Sequence, residues 1–302
     1  MNKNQSYKTG VALTILAGVI WSTVGLGIRM IEEAGVWEIL LFRSSSLTCF
    51  LLFIILIHLK QNPFKLIFAV GVIPSSIGAI GLLFAYSGAI YSIQTTSVAN
   101  AMLLFATAPF FAAILGRIIL TEKVALRTWV AIFIAILGVV IMVSDKASGG
   151  RFWGSLAGLL SGFGFAIFST ALRWGRSQEM LPMVFLSGLF AIVITGSICY
   201  LNDISIILSE NDLFITLGMG VFQVGAGLVL YTFGSRSVPA AELVLLSLAE
   251  VLLGPFWVWL FLGETFSFST FVGGSVLLLA ILGNSILGLR KQSIPKNSLR
   301  KK

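Results

Sequence analysis

One carboxyl group in this sequence stands in the middle of a long apolar segment. Glu250 lies near the centre of residues 238–262, which are otherwise almost free of charge. An ionisable side chain inside an apolar helix is costly to bury, and such residues are functional candidates by default. Two roles remain open for Glu250. In the functional role, it contacts a substrate amine or titrates with protons. In the structural role, it is a protonated acid that holds neighbouring helices together.

Uncharged polar side chains recur at helical spacing in other apolar segments. Residues separated by 4, 8 or 11 positions return to nearly the same face of a helix. Three such sets occur: Thr96 with Asn100 and Thr107, Ser75 with Tyr86, and Gln223 with Tyr231. These stripes are able to bind polar groups of a small molecule, and they are equally able to join helices through hydrogen bonds.

Trp21 is the one tryptophan at the centre of an apolar segment, and a shift of 144 residues brings Phe165 to the equivalent position. Two aromatic rings at equivalent positions would line an apolar cavity that suits a hydrophobic side chain. Packing in the core or against lipid is the alternative. The predicted substrate-binding residues are therefore Trp21, Ser75, Tyr86, Asn100, Phe165, Gln223, Tyr231 and Glu250.

The elements that carry these residues are membrane helices, as the composition indicates. Of 302 residues, 57% are hydrophobic and 11% are charged, whereas soluble domains carry about 25% charged residues. A soluble enzyme and a disordered chain are both excluded. Apolar runs of about 20 residues are long enough to cross a bilayer as helices. Ten are predicted: 10–30, 36–59, 64–88, 95–120, 126–143, 152–174, 181–201, 213–234, 238–262 and 268–289.

The positive charge is distributed as a topology signal. Most of the 20 basic residues fall in the loops and the tail that ten spans would place on the side of the termini. The positive-inside rule then predicts cytoplasmic termini in a multi-pass protein of the cell membrane, most simply a bacterial inner membrane. The net charge of +8 therefore does not indicate nucleic acid. Arg43 falls inside the second span, where it either snorkels outward or pairs with an acid, and we expect a structural pair first.

The two halves of the sequence resemble each other. A shift of 144 residues aligns Arg29 with Arg173, and a shift of 142 aligns Glu122 with Glu264. We expect both glutamates to cap the helix that follows them, since a carboxylate is favoured at a helix N-terminus. The matches predict two units, residues 1–145 and 146–302. With five spans each, the second unit runs opposite to the first, an arrangement typical of secondary transporters.

Two segments also resemble signatures of a known family. The run from Ala108 and Pro109 to Glu122, and its counterpart that ends at Glu264, are similar to the fourth and ninth helices of the EamA branch of the drug/metabolite transporter superfamily. The resemblance implies ten helices in two inverted five-helix repeats. It also implies a central cavity lined by the first, third, fourth, sixth, eighth and ninth helices, and export of amino acids or related metabolites, aromatic amino acids included.

These observations predict an all-α integral membrane protein that acts as a secondary transporter. Its partners would be a small-molecule substrate, membrane lipids and protons, with no nucleic acid, and we expect a monomer. The sequence holds two cysteines, one histidine and no nucleotide-binding motif, so neither a cofactor nor a metal is expected. The alternative is a membrane enzyme that acts on lipid or lipid-linked substrates.

Overall fold

Every regular element in the described part of the chain is helical. The computed structural model describes residues 3–58, 60–143, 151–175, 180–235, 237–238 and 240–292. The basic tail 293–302 and the loop 144–150 lie outside the described residues. Helices are the expected solution for apolar segments, since a helix satisfies its backbone hydrogen bonds internally where lipid offers no partners.

The helices follow one another with short connections. In chain order they are α1 Lys3–Ser22, α2 Val24–Arg29, α3 Val36–Phe53, α4 Pro63–Val70, α5 Val72–Thr95, α6 Val98–Phe105, α7 Ala108–Ile119, α8 Leu126–Val143, α9 Arg151–Trp174, α10 Leu181–Leu201, α11 Glu210–Gly218, α12 Gly227–Ser235, α13 Ala240–Leu262 and α14 Phe268–Gln292. Two π-helical segments, Ile54–His58 and Met219–Ala226, extend α3 and join α11 to α12.

The prediction of an all-α membrane protein is confirmed. Among the described residues, nine helical segments are long and apolar enough to cross a membrane, and the apolar helix Ala249–Leu262 adds a shorter one within α13. The first span consists of α1 and α2, the fourth of α6 and α7, and the eighth of α11, the π segment and α12. The chain is thus a multi-pass membrane protein.

The bundle has two ends, which we name by the loops they hold. The terminal face holds the start of α1, residues 60–62 and 120–125, and the end of α14, and here Gly10 packs against Gly234. The distal face holds residues 30–35, 96–97, 202–209 and 263–267. At that end Gln94 donates a hydrogen bond of 3.0 Å to the Ala34 carbonyl oxygen.

The predicted bounds of the third span are wrong. Residues 64–88 were expected to form one helix, but the chain forms α4 and then α5, which continues to Thr95. Gly71 separates them with a φ of 104°, a conformation that glycine adopts readily. The next helix begins at Val98 because the Ser97 side chain accepts a hydrogen bond from the Asn100 N–H, as an N-cap residue does.

Close helix crossings join the early spans to the late ones. A Cβ atom on Gly81 would lie 2.7 Å from the Gly164 carbonyl oxygen, where α5 crosses α9. Gly138 has the same relationship to Gly273, at 2.6 Å, where α8 crosses α14. Glycine permits this backbone approach, which is the usual basis of tight packing between membrane helices.

Three spans are interrupted within their length. The first breaks at Thr23, between α1 and α2, and the fourth breaks at Ala106 and Thr107, ahead of Pro109. The eighth contains the π segment Met219–Ala226. Interrupted helices and π-helical turns are frequent at functional sites, and in transporters they mark the substrate region.

Candidate functional site

Trp21, Gln223 and Tyr231 meet where the first span crosses the eighth. The ring centroids of Trp21 and Tyr231 are 5.2 Å apart, and Gln223 Nε2 donates a 3.3 Å hydrogen bond to the Trp21 carbonyl oxygen. Gly227 lies on the same face, and the Trp21 indole packs directly against it. These three predicted residues thus form one group, which we call the Trp21 cluster.

Gln223 leaves half of its amide unused. Its side chain is buried, and Oε1 has no hydrogen-bond partner. Buried acceptors are nearly always paired, because an unmet one costs free energy. The π segment that carries Gln223 presents this oxygen inside the bundle, where it is able to accept a hydrogen bond from an N–H or O–H group of a ligand.

Glu250 lies in the middle of α13 on the face that packs against α1. One turn before it, Leu246 lies next to Gly18, and one turn after it, Gly254 lies against the Ser22 carbonyl oxygen. Residues four apart share a helix face, so Glu250 faces the part of α1 that includes Trp21. Its side chain is half-buried. No described residue forms a hydrogen bond or an ion pair with its carboxyl group.

Tyr86 and Phe165 extend the aromatic surface. The ring centroid of Phe165 lies 5.4 Å from that of Phe105 and 5.7 Å from that of Phe168. Tyr86, Phe165 and Trp21 are all half-buried and pack against the same apolar core, which includes Leu47, Leu82, Phe168 and Val224. Trp21 and Phe165 therefore border one region, although no ring contact joins them in the described structure.

Asn100 and Ser75 lie away from the Trp21 cluster. Asn100 is near the distal face, where its Nδ2 donates a 2.9 Å hydrogen bond to Ser155 Oγ, and its Oδ1 is buried without a partner. Ser75 is fully buried near the terminal face, and its hydroxyl donates a 3.4 Å hydrogen bond to the Ile67 carbonyl oxygen. In this structure Ser75 connects α4 to α5.

The predicted ion pair of Arg43 is wrong. Arg43 is buried, and its Cζ lies over the Tyr86 ring, 4.8 Å from the centroid. Nη2 has no hydrogen-bond partner. The ion pairs in the described part of the chain are Arg29–Glu264 and Arg173–Glu122, so Arg43 takes part in neither. Sequence reasoning placed a cation inside the span but had no means of identifying what faces it.

The two glutamates that the internal repeat aligns, Glu122 and Glu264, bind residues that are distant in the chain. Glu264 Oε2 accepts a 2.7 Å hydrogen bond from Arg29, and Oε1 accepts one of 2.7 Å from the Val98 N–H. Glu264 therefore caps α6, and the prediction that it caps the helix that follows it is wrong. Glu122 accepts a 2.6 Å hydrogen bond from Arg173. Both carboxylates connect distant parts of the chain.

Asp212 is a structural anchor that the sequence analysis missed. Its carboxylate is fully buried and accepts hydrogen bonds of 3.0 Å from the backbone N–H groups of Glu32, Glu33 and Ala34. The available signal was Ser209, whose hydroxyl caps the first turn of α11 and thereby fixes Asp212. Among the described residues, no group of three or more His, Cys, Asp or Glu side chains is placed to hold a metal ion.

Comparison with known proteins identifies the family. The model of the EamA-like transporter family matches the chain twice, over residues 8–144 and 152–286. The chain belongs to this family. It is thus a membrane transporter of the drug/metabolite transporter superfamily, as the resemblance of its fourth and ninth helices implied.

Several relatives are transporters by name. The chain is 25% identical to an uncharacterized transporter of Archaeoglobus fulgidus, over 64% of this chain and 69% of that protein. It is 28% identical to the uncharacterized transporter YdfC of Bacillus subtilis, over 85% and 84%. It is 22% identical to the pseudopaline exporter CntI of Pseudomonas aeruginosa, over 92% and 96%. A crystal structure with 15% identity has the same fold, with a TM-score of 0.63 over 96% of this chain and 99% of that one.

Proposed function

We propose that this protein is a secondary transporter that exports small metabolites, with amino acids as the leading substrate class. The observation that carries the proposal is a set of polar groups without partners inside a membrane bundle. Gln223 Oε1 and the Glu250 carboxyl group both lie beside α1, next to the aromatic surface of the Trp21 cluster. Polar groups kept in such a place at a cost in stability are typical of substrate pathways.

The aromatic side chains support a substrate that has both polar and apolar parts. Trp21, Tyr86 and Phe165 are half-buried around one apolar region, and rings of this kind bind hydrophobic side chains. The polar groups of Gln223 and Glu250 would then orient the amine or another donor of the substrate. Export is the direction in the name of CntI, the pseudopaline exporter.

Transport would proceed by alternating access between two units, residues 1–145 and 146–302. The interruptions of the first, fourth and eighth spans lie beside the candidate residues, where a change in helix direction would open the site to either face. We further propose that Glu250 exchanges protons, that the chain acts as a monomer in the cell membrane, and that its terminal face lies in the cytoplasm.

Counterflow in proteoliposomes tests this function. Purified protein is reconstituted into vesicles loaded with one unlabelled compound, and uptake of the labelled compound is followed for a panel of amino acids and nucleosides. We expect loading with amino acids to accelerate uptake, and protein-free vesicles provide the baseline. If no compound is exchanged while added lipid is turned over, the protein is a membrane enzyme and the proposal is wrong.

A further inference from the structure

We propose that Arg43 and Tyr86 form a subsite for a carboxylate group of the transported substrate. The inference rests on the proposed function and deepens it. It assigns two residues to one chemical group of the substrate, and neither the family nor the names of the relatives specify such a subsite. It stands on the burial of Arg43, on the contact of its guanidinium group with Tyr86, and on Nη2, which is buried without a hydrogen-bond partner.

Arg43 is placed well inside the membrane. It lies seven residues after the start of α3, which is about 10 Å along a helix that rises 1.5 Å per residue. Only 3% of the residue is exposed. Arginine stays charged in proteins, and a charge that is buried without a partner is strongly unfavourable. A counter-charge is therefore expected near this guanidinium group.

No carboxylate in the described part of the chain supplies that counter-charge. Nη2 of Arg43 is buried and makes no hydrogen bond, and no described carboxylate pairs with Arg43. Several acids near the bundle are already engaged, since Glu122 and Glu264 bind other arginines and Asp212 binds three backbone N–H groups. Glu250 lies on α13, which packs against α1, α2, α6 and α14.

The contact with Tyr86 leaves the donors of Arg43 available. Cζ lies over the Tyr86 ring, 4.8 Å from its centroid, and this cation–π contact is not a hydrogen bond to the N–H groups of Arg43. The N–H groups point outward in the plane of the group, and their fork matches the two oxygens of a carboxylate. Tyr86 thus contacts a cation whose Nη2 is buried without a hydrogen-bond partner.

The helix that carries Arg43 adjoins the π segment of the Trp21 cluster through its backbone, and Tyr86 packs against the same apolar core as Trp21. Gly220 packs directly against the Arg43 carbonyl oxygen and against Ser46, so the π segment lies next to α3 at this level. Gln223, three residues later in the same segment, binds the Trp21 carbonyl oxygen. Arg43 and the Trp21 cluster therefore flank one π segment, which would place the carboxylate and the rest of a small amphiphilic substrate on neighbouring surfaces.

Matched pairs of compounds test this assignment. L-leucine and L-leucinamide, and L-phenylalanine and L-phenylalaninamide, differ in the carboxylate and share the amine and side chain. Equilibrium binding to purified protein is measured for each compound, together with exchange in proteoliposomes, and inorganic phosphate is included as a second anion. We expect at least one acid to bind at least about tenfold more tightly than its amide, since charged hydrogen bonds are worth this much.

Variants connect the preference to the named residues. Arg43→Gln should bring the acid and its amide to within about twofold of each other, and Arg43→Lys should retain part of the preference because it keeps the charge. Arg127→Gln is the matched control, since Arg127 donates to the Leu287 carbonyl oxygen at the terminal face. It should leave the preference unchanged. Each variant is first shown to be monodisperse by size-exclusion chromatography.

The outcomes separate this inference from the proposed function. Equal binding of acid and amide by the native protein, or an unchanged preference in Arg43→Gln, would overturn the carboxylate subsite even if exchange is observed. Tighter binding of phosphate than of either acid would also overturn it. Arg43-dependent binding of acids without exchange would support the subsite and overturn the transport function. Neither binding nor exchange would overturn both.

Discussion

Arg29 and Glu264 form an ion pair of 2.7 Å at the distal face, although 235 residues separate them in the chain. Arg173 and Glu122 form a second pair, of 2.6 Å, at the terminal face. The two pairs are equivalent in the internal repeat, because Arg29 aligns with Arg173 and Glu264 aligns with Glu122. Each pair thus joins an early span to a late one, and the two pairs lie at opposite ends of the bundle.

The two pairs are expected to differ in strength. The side chains of Arg29 and Glu264 are 26% and 22% exposed, against 42% for both partners of the other pair. Glu264 also accepts a hydrogen bond from the Val98 N–H at the start of α6, and Arg29 also donates one to the Thr96 carbonyl oxygen. Glu264→Gln should therefore lower the free energy of unfolding by about 1–2 kcal/mol, and Glu122→Gln by less than about 1 kcal/mol.

Thermal unfolding in detergent measures this difference, and double-mutant cycles with Arg29→Gln and Arg173→Gln isolate the pairs. Equal losses for the two glutamate variants would show that the additional contacts of Glu264 do not contribute.

Much of this architecture could be predicted from the sequence, since apolar length determines the spans and the internal shift reveals equivalent residues. The pairing of Arg29 with Glu264 could not be predicted from the sequence, because it depends on which helices cross. The end of the third span was missed because no charge marks it, and the break falls instead at Gly71, where the backbone has a positive φ. Arg43 was assigned an acidic partner because the sequence does not show that Tyr86 faces it.

The orientation in the membrane gives a second prediction. Asp203 is exposed at the distal face and Gln61 is exposed at the terminal face. If the terminal face is cytoplasmic, a membrane-impermeant maleimide should label Asp203→Cys on intact cells and leave Gln61→Cys unlabelled. Cys49 and Cys199 are replaced by serine in both variants, and permeabilised cells provide the control. Labelling of Gln61→Cys alone on intact cells would reverse the orientation.

Gln223 should matter for transport more than for stability. Gln223→Met keeps the volume, removes the buried oxygen that has no partner and loses only the 3.3 Å hydrogen bond to Trp21. We expect the free energy of unfolding to change by less than about 1 kcal/mol, while the exchange rate falls at least about tenfold, equivalent to 1.4 kcal/mol.

Gln94→Met is the control for Gln223→Met, because Gln94 uses its amide to bind Ala34 at the distal face. It should lose stability and retain most of its exchange per folded molecule. If Gln223→Met instead lost stability and kept exchange, the amide would be a structural connection between the first and eighth spans.

Glu250 is expected to carry the pH dependence of transport. Its carboxyl group has no described partner inside the bundle, so it is the strongest candidate for a proton-titrating group. Glu250→Gln has the same shape, and we expect it to fold normally and to exchange substrate at a rate that no longer varies with pH between about 5 and 8.

Exchange measured over this pH range, with equal pH on both sides of the vesicle, tests the role of Glu250. Glu38→Gln serves as the control because Glu38 is a half-buried acid in the first turn of α3, near the distal face. It should keep the native pH profile. A native profile in Glu250→Gln would assign proton coupling to another group.

A methyl group at Gly227 should disturb Trp21, whereas one at Gly218 should not. The indole of Trp21 packs directly against Gly227, so Gly227→Ala forces the ring to move, and nothing lies within 4 Å of a Cβ atom on Gly218. Overpacking of this kind costs about 1–3 kcal/mol, while Gly218→Ala is expected to be neutral or to stabilise its helix by up to about 1 kcal/mol.

Because Trp21 also contacts Tyr231 and Gln223, Gly227→Ala should impair substrate binding as well as stability. Unfolding and counterflow measured on both variants test this pairing, and normal binding by a stable Gly227→Ala would place the substrate away from the Trp21 cluster.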